Sequence, residues 1–313
     1  MDKFYITTPL YYVNSKLHVG HTYTTVYCDV ISRFMKLAGK DVFFLTGSDE
    51  HGQKIFQAAE KKGITPKELA DENVGYFIDL WKRLKIDYDK FIRTTDEDHE
   101  RRVQLILEKL HKKGFVYKSQ YKAYHCIPCE AFWNEKQLED GKCPLCGGEV
   151  KWENEENYFF SISKMREEVE RYLKDNPHSI IPQKRYNEIM GKIDEGMEDK
   201  SISRAQFDWG VPIPWDDEQV TYVWFDAILN YITGLGFPED MENFNKWWPA
   251  DLHVIGKDIL WFHTLFWFSI LRALDVELPT VFSHGYWLIK GGKMSKRSGL
   301  VIDPFELADK YGV

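Results

Sequence analysis

The chain has 313 residues, 43% hydrophobic and 29% charged, a globular composition that excludes a disordered or fibrous protein and leaves room for about two domains, or one with a large insertion. A formal net charge of −8 excludes a general nucleic-acid sleeve, so any RNA contact is local. Residues 1–13 lack an apolar leader with a cleavage site, and the most apolar stretch, 259–271, carries His263 and is too short to span a bilayer, so the expectation is a soluble, cytoplasmic protein.

Residues 3–8 are aromatic and β-branched and predict a strand, followed by a loop through Pro9 and Asn14-Ser15-Lys16. From Gly20 on, Tyr23, Val26, Tyr27, Val30, Ile31, Phe34 and Leu37 recur at helical spacing, and Gly39 closes the helix. Cys28 lies inside that pattern and is expected to be a buried structural thiol. Residues 41–46 form a continuous apolar run, as in a parallel strand covered on both faces, so the first fifty residues read as a βαβ unit. Thr65-Pro66-Lys67-Glu68 starts a helix to about Leu84. Another runs from about Asp96 to Lys113, after which Gly, Cys and aromatic residues, then dense charge, mark 116–218 as an insertion.

Parallel-strand signals resume with 222–225, which is expected to be a strand leading into a helix. They continue with 252–255, leading through Gly256 into a helix, and with 281–283; a last helix starts at Pro304. The fold class expected is α/β, a doubly wound parallel sheet of Rossmann type with an inserted zinc-knuckle connective domain. Its divisions are 1–115 and 219–290 for the two halves of the nucleotide-binding domain, 116–218 for the insertion, and 291–313 for a lysine-rich loop and the start of a helical region.

Leu17-His18-Val19-Gly20-His21 sits between the first strand and its helix, where open α/β folds bind ligands. Two imidazoles three apart share one face of a helix start, beside its backbone N–H groups and positive dipole end, and Gly20 admits a ligand to the backbone. That suits phosphate; two unrelated capping histidines, or a metal site, are the alternatives. Late in the chain, Gly291-Gly292-Lys293-Met294-Ser295-Lys296-Arg297-Ser298-Gly299 is a basic, glycine-flanked loop suited to a moving polyanion, or simply a solvated one. Neither G-x-x-x-x-G-K-[ST] nor G-x-G-x-x-G occurs, which excludes the ordinary P-loop and dinucleotide cradles. Cys126-Ile127-Pro128-Cys129 and Cys143-Pro144-Leu145-Cys146 have the spacing of a four-cysteine zinc site, closed to water and therefore structural.

The two motifs His18-Val19-Gly20-His21 and Lys293-Met294-Ser295-Lys296, in that order, resemble the class I aminoacyl-tRNA synthetases. Four further stretches narrow the resemblance to the bacterial-type methionyl-tRNA synthetases, and it covers the whole chain: Thr7-Thr8-Pro9-Leu10-Tyr11-Tyr12-Val13-Asn14, Thr46-Gly47-Ser48-Asp49-Glu50-His51-Gly52, Tyr222-Val223-Trp224-Phe225-Asp226-Ala227 and His253-Val254-Ile255-Gly256-Lys257-Asp258. Departures are Val19 for the usual Ile, Arg297 for Ser, and Ile228 where some members have Pro.

The resemblance implies a ligase that joins L-methionine to ATP as methionyl-adenylate, releasing pyrophosphate, and then charges the 3′ end of tRNA(Met). His18, Gly20, His21, Gly256, Asp258, His284, Lys293 and Lys296 would bind ATP, with His18, His21, Lys293 and Lys296 catalytic. From sequence alone Asp258 is equally a helix N-cap. Asp49 would hold the ammonium near the Leu10 carbonyl, with Pro9, Tyr12, Val223, Trp224, Ala227, Ile228, Tyr231, Ile259 and His263 around the side chain, whereas Trp267 and Phe268 are expected to be core. Zn²⁺ on Cys126, Cys129, Cys143 and Cys146, and Mg²⁺ with ATP, are the implied cofactors. The family's helical anticodon-binding domain would follow Val313. A ligase for another apolar amino acid, a nucleotidyltransferase outside translation and a zinc-knuckle RNA-binding module are the competing readings.

Overall fold

The computed structural model describes residues 2–129, 131–205, 207–289, 292–293 and 302–313, with the backbone only at 121, 288, 289, 292 and 293. In its first half β1 (Lys3–Thr7) and β2 (Tyr11–Tyr12) lead to α1 (Val19–Leu37), then β3 (Asp41–Asp49), α2 (Gln53–Lys62), α3 (Pro66–Arg83), β4 (Lys90–Arg93) and α4 (Glu97–Lys112). The middle holds β5 (Val116–Cys126), β6 (Ala131–Trp133), β7 (Lys151–Phe160), α5 (Arg166–Asp175), β8 (Ile180–Ile181), α6 (Gln183–Glu195), β9 (Lys200–Ser201), β10 (Ser203–Arg204), β11 (Pro212–Ile213) and β12 (Asp216–Thr221). The last part holds α7 (Val223–Ile228), α8 (Asn230–Thr233), α9 (Met241–Trp247), β13 (Leu252–Gly256), α10 (Trp267–Ala273), β14 (Val281–His284), a hairpin of β15 (Leu288–Ile289) and β16 (Gly292–Lys293), and α11 (Pro304–Tyr311).

The main sheet is parallel throughout. β4 pairs with β3, β3 with β1, β1 with β13, β13 with β14 and β14 with β8, while β2 runs along the end of β3. Alternate side chains serve opposite faces, as a strand's two-residue period requires. Phe4, Ile6, Phe44 and Val254 pack with Cys28 on one side; Tyr5, Leu45, Ile255 and Val281 join the larger core on the other. Both faces are therefore covered, which is why 41–46 carries no polar alternation. Gly47 is needed where β3 meets β4, because a Cβ there would lie 1.9 Å from the Ile92 carbonyl oxygen.

The order reverses between β1 and β13, so their connections leave on opposite sides and a crevice opens at the carboxyl ends of β1, β3, β13 and β14. Asp49, Gly256 and His284 end β3, β13 and β14 on that rim, and His18 and His21 lie at the start of α1.

Helix α1 is where expected, but it turns its small and polar residues inward. Thr22, Thr25, Cys28, Asp29 and Ser32 are buried, while Val30, Phe34 and Leu37 are exposed. Small residues let the helix approach the sheet, with Cys28 Sγ 3.6 Å from the Thr7 carbonyl; Thr25 shares a 2.8 Å hydrogen bond with Tyr11 and Asp29 accepts from the Asp87 backbone, whereas buried Ser32 Oγ has no partner among the described residues. Burial raises the Cys28 thiol's pKa well above its ordinary value, as befits an inert structural cysteine.

The expected strand at 222–225 is instead the start of helix α7. Strand β12 ends at Thr221, paired antiparallel with β10 and β11, and the Tyr222 carbonyl accepts from Phe225 N–H to open the helix. Aromatic and β-branched composition favoured a strand; burial of Val223, Phe225 and Ala227 in the core decided for a short helix.

Within 116–218, β5 and β7 form a long antiparallel ladder from Val116↔Phe160 to His125↔Lys151, flanked by β6 and β9. Ile180 and Ile181 of the same segment pair with Val281 and Phe282, so this stretch also supplies an edge strand of the main sheet. No helix among the described residues is long and apolar enough to cross a membrane.

Candidate active site and metal centre

His18 is the N-cap of α1, with extended backbone. Its Nδ1 accepts from Gly20 N–H at 3.1 Å, and the His21 Nδ1 accepts from His18 N–H at 3.0 Å, a capping box built from two imidazoles. Because both Nδ1 atoms accept backbone hydrogens, each neutral ring carries its proton on Nε2. The rings lie 3.9 Å apart at 32°, and Tyr11 meets His21 edge-on at 5.3 Å. Two half-buried N–H donors beside a helix N-terminus could hold an anion.

Across the crevice, β14 delivers His284 to the same helix. Its Nδ1 bonds to the Gly285 carbonyl at 2.9 Å, so its Nε2 accepts from the Thr24 hydroxyl at 2.8 Å. Gly256, the register partner of His284, ends β13. A Cβ at Gly256 would stand 2.7 Å from Asp258 Oδ1, so the carboxylate folds over bare backbone. Asp258 lies inside the turn Lys257–Ile259, whose cap is Gly256, and the N-cap alternative is thereby corrected: the backbone bends two residues too early for Asp258 to cap it. The Lys293 side chain and all of Lys296 lie outside the described residues.

Asp49 closes β3, is buried, and pairs in register with Tyr12 on β2. Lys54 stands 4.9 Å from the Tyr12 ring. Pro9 and Leu10, between β1 and β2, are half-buried, as is Ile259. Helix α7 buries Val223, Ala227 and Ile228 and stacks Trp224 on Phe262 at 4.3 Å and 13°. Tyr231 and His263 are both buried and share a 2.8 Å hydrogen bond. The His263 Nδ1 bonds to the Ile259 carbonyl at 3.0 Å, so that nitrogen holds the proton and Tyr231 O–H donates to Nε2. Burial pushes the His263 pKa down to about 4, keeping the pair neutral.

Behind this pair are groups to which the sequence analysis gave no site role. His253 stacks on Tyr231 at 4.2 Å, bonds to the Thr7 hydroxyl at 2.7 Å and accepts from Trp267 Nε1 at 3.3 Å. Phe262 was legible only as another aromatic in an apolar run. Trp267 and Phe268 are core, as expected.

The four cysteines converge at the tip of the β5–β7 ladder. Their sulfurs all lie within 4.8 Å of one another, with Cys126 to Cys146 at 3.5 Å and Cys143 to Cys129 at 4.0 Å. A tetrahedral ion with metal–sulfur bonds of about 2.3 Å needs sulfurs about 3.8 Å apart, so the cluster fits a closed four-thiolate centre. Gly147 takes a left-handed φ of +65° that turns the backbone so that Gly148 N–H donates to Cys146 Sγ at 3.4 Å. Beside Cys126, buried His125 bonds to Glu153 at 2.9 Å and stacks on Phe132 at 4.1 Å, bracing the cluster.

The model of the family "tRNA synthetases class I (M)" matches residues 4–151 and 134–313. The chain belongs to this family. A methionine–tRNA ligase of Clostridium acetobutylicum is 53% identical over 313 residues, covering 99% of this chain and 49% of that protein. One of Thermotoga maritima is 49% identical over 315 residues, covering 99% and 50%. The chain thus spans about half the length of the curated relatives it matches. A structure of Mycobacterium tuberculosis methionyl-tRNA synthetase in complex with methionyl-adenylate superposes with a TM-score of 0.96 at 41% identity, covering 100% of this chain and 62% of that one. For this family the parallel sheet is the class I synthetase fold, and the β5–β7 region with its cysteine cluster is an insertion in it.

Proposed function

We propose that this chain activates L-methionine with ATP, forming methionyl-adenylate and pyrophosphate, and that the adenylate then supplies methionine to the 3′ end of tRNA(Met). The observation that carries the reading is the paired-histidine anion site at α1 on the same rim as the neutral, buried Tyr231–His263 pair. The likeness to a structure bound to methionyl-adenylate supports it.

The methionine carboxylate attacks the α-phosphorus and pyrophosphate leaves, a displacement that needs positioning and charge stabilisation rather than covalent help from the protein. His18 and His21 present Nε2–H to the phosphates, and Gly20 lets them reach the α1 N-terminus. Gly256 admits the ribose, Asp258 accepts its hydroxyl hydrogens, and His284, held by Thr24, borders the nucleotide. Lys293 and Lys296 offset the charge of the leaving pyrophosphate. Mg²⁺, when bound with ATP, neutralises phosphate charge.

Asp49 holds the methionine ammonium, with the Leu10 carbonyl beside it. Pro9, Tyr12, Val223, Trp224, Ala227, Ile228, Tyr231, Ile259 and His263 surround the side chain, where aromatic faces suit a polarizable thioether. Keeping Tyr231–His263 uncharged prevents the pocket from favouring an acidic or basic side chain. The four cysteines would hold a structural Zn²⁺ that ties the tip of the insertion together, and with all four ligands supplied by the protein the ion would take no part in substrate chemistry.

Methionine-dependent exchange of labelled pyrophosphate into ATP, run beside leucine, isoleucine, valine and cysteine, tests the reading without tRNA. Exchange with methionine alone is expected; exchange with another of the five would overturn the pocket assignment, and silence with all five the activity. Lys296→Ala should slow exchange far more than it weakens methionine binding.

A further inference from the structure

The segment Glu50-His51-Gly52, which joins Asp49 at the end of β3 to α2, is held from several sides. His51 and Asp226 are almost completely buried, and His51 Nδ1 lies 2.7 Å from Asp226 Oδ2. His51 Nε2 faces Glu100 of α4 at 3.3 Å. Both ring nitrogens therefore meet carboxylates, an arrangement that the doubly protonated imidazolium satisfies by donating to each. Asp226 also accepts from Thr221 at 3.4 Å, while its Oδ1 has no protein partner among the described residues.

Other contacts hold the same segment on its remaining sides. Trp209 donates from Nε1 to the Glu50 carbonyl at 2.6 Å and accepts from Gly52 N–H at 3.1 Å. Arg93 grips the Glu50 carboxylate with bonds of 2.7 and 2.8 Å. Gly52 has a φ of +97°, and a Cβ there would lie 3.1 Å from Val223 Cβ, so this backbone rests directly on α7.

We propose that His51 and Asp226 are positioning residues that hold Asp49 in register with the α7 wall of the methionine pocket. His51 is two residues from Asp49. Asp226 lies between Trp224 and Ala227 on a single helical turn, so their bond fixes the carboxylate that takes the ammonium against the surface that takes the side chain. An amino acid is recognised across that gap, and a shift of about 1 Å there weakens binding of the whole substrate. Neither residue touches substrate in this arrangement. The inference rests on the function proposed above.

The test is pyrophosphate exchange by the 313-residue chain and its variants His51→Gln, Asp226→Asn, Glu100→Gln and the His51→Gln/Asp226→Asn pair. Loss of a positioning contact used equally in ground and transition states raises KM and spares kcat. The expected result is a methionine KM raised about tenfold in each buried single variant, with ATP KM and kcat within about twofold. The double variant should be no worse than the poorer single one, because both changes break the same bond. Glu100→Gln, at a half-exposed position that leaves the buried pair in place, should raise methionine KM about twofold to threefold even if the buried variants fail to fold.

Unchanged methionine KM in these variants, a parallel rise in ATP KM, or additive losses in the double variant would overturn the inference. Absence of methionine-dependent exchange in the unaltered chain would overturn the function itself. The two failures are therefore distinguishable.

Discussion

The parallel sheet and the antiparallel insertion hold their important residues by different means. In the sheet, Tyr5, Ile6, Phe44, Leu45 and Val254 are fully buried, and the rim residues extend from that packed layer. In the insertion, the β5–β7 ladder leaves Trp152 and Tyr117 substantially exposed, and its tip is organised by four cysteines with the His125–Glu153 pair behind them. Apolar burial contributes a few kcal/mol per large side chain wherever there is a core to bury it in. A thin hairpin tip has no such core, so its order depends on coordination. One molecule thus contains a region whose geometry should tolerate metal loss and a region whose geometry should not.

The largest effect that would break this contrast is metal removal. Chelation, or Cys143→Ser, should make the segment between Cys126 and Lys151 sensitive to protease while the parallel core keeps its cooperative melt, since apparent zinc-binding energies in small four-ligand sites are about 10–16 kcal/mol. Limited proteolysis beside calorimetry checks it; loss of both melts together would abolish the distinction. Next in size, Phe44→Ala in the sheet should cost about 3–5 kcal/mol by denaturant titration and leave bound zinc at one per chain. A loss of metal with that substitution would show that the two regions share one cooperative unit.

Two buried histidines sharpen the comparison within the core itself. Burial pulls the His51 pKa down, but the charge and hydrogen bond of Asp226, with Glu100, outweigh it and take it up to about 10. That stabilisation is complete below the unfolded pKa of about 6.5 and is lost as pH rises from there towards 10. His263 has the opposite sign: burial lowers it to about 4, so its contribution is present above pH about 6.5 and fades as pH falls towards 4. The groups facing His51 are Asp226, Glu100 and buried His99, whose own pKa burial and the His51 charge press down to about 3. Denaturant midpoints measured across pH 6–10 should fall for the unaltered chain and flatten in His51→Gln. The smallest effect is expected at the insertion surface, where Trp152→Ala removes a half-exposed ring packed edge-on against Tyr124 and should cost about 0.5–1.5 kcal/mol by denaturant titration.

Part of the candidate site was legible because its residues are close in sequence. His18 and His21 are three apart, so any helix starting there brings them together, and the structure makes them cap it. The cysteine pairs each define a turn, and one ladder joins them. Gly256, Asp258 and His284 came from the resemblance alone; the structure places Gly256 and His284 in register at the ends of β13 and β14.

The groups that were not legible act across long sequence separations. His51 and Asp226 are 175 residues apart, and Thr7 and His253 are 246 apart; nothing local distinguishes either histidine from an ordinary one. Helix α1 shows the same limit in packing. Its period identified a helix, but the exposed Val30, Phe34 and Leu37 stripe would have been assigned to the core. The inward face was chosen by how closely a backbone can approach a sheet, which favours Cys28, Thr25 and Ser32. At 222–225, local propensity and tertiary packing disagreed, and packing prevailed because the strand signal is worth at most about 1 kcal/mol per residue.

The sequence by itself determined the parallel α/β architecture, the paired-histidine helix start and the four-cysteine cluster, because each is encoded by short-range period or spacing. Only the tertiary structure decided which face of α1 is buried, that 222–225 begins a helix, and that His51 is ionised while His263 stays neutral. The physical reason is common to all three: burial and electrostatic environment depend on neighbours contributed by distant segments, and a charge or a side-chain orientation has no fixed cost until those neighbours are in place.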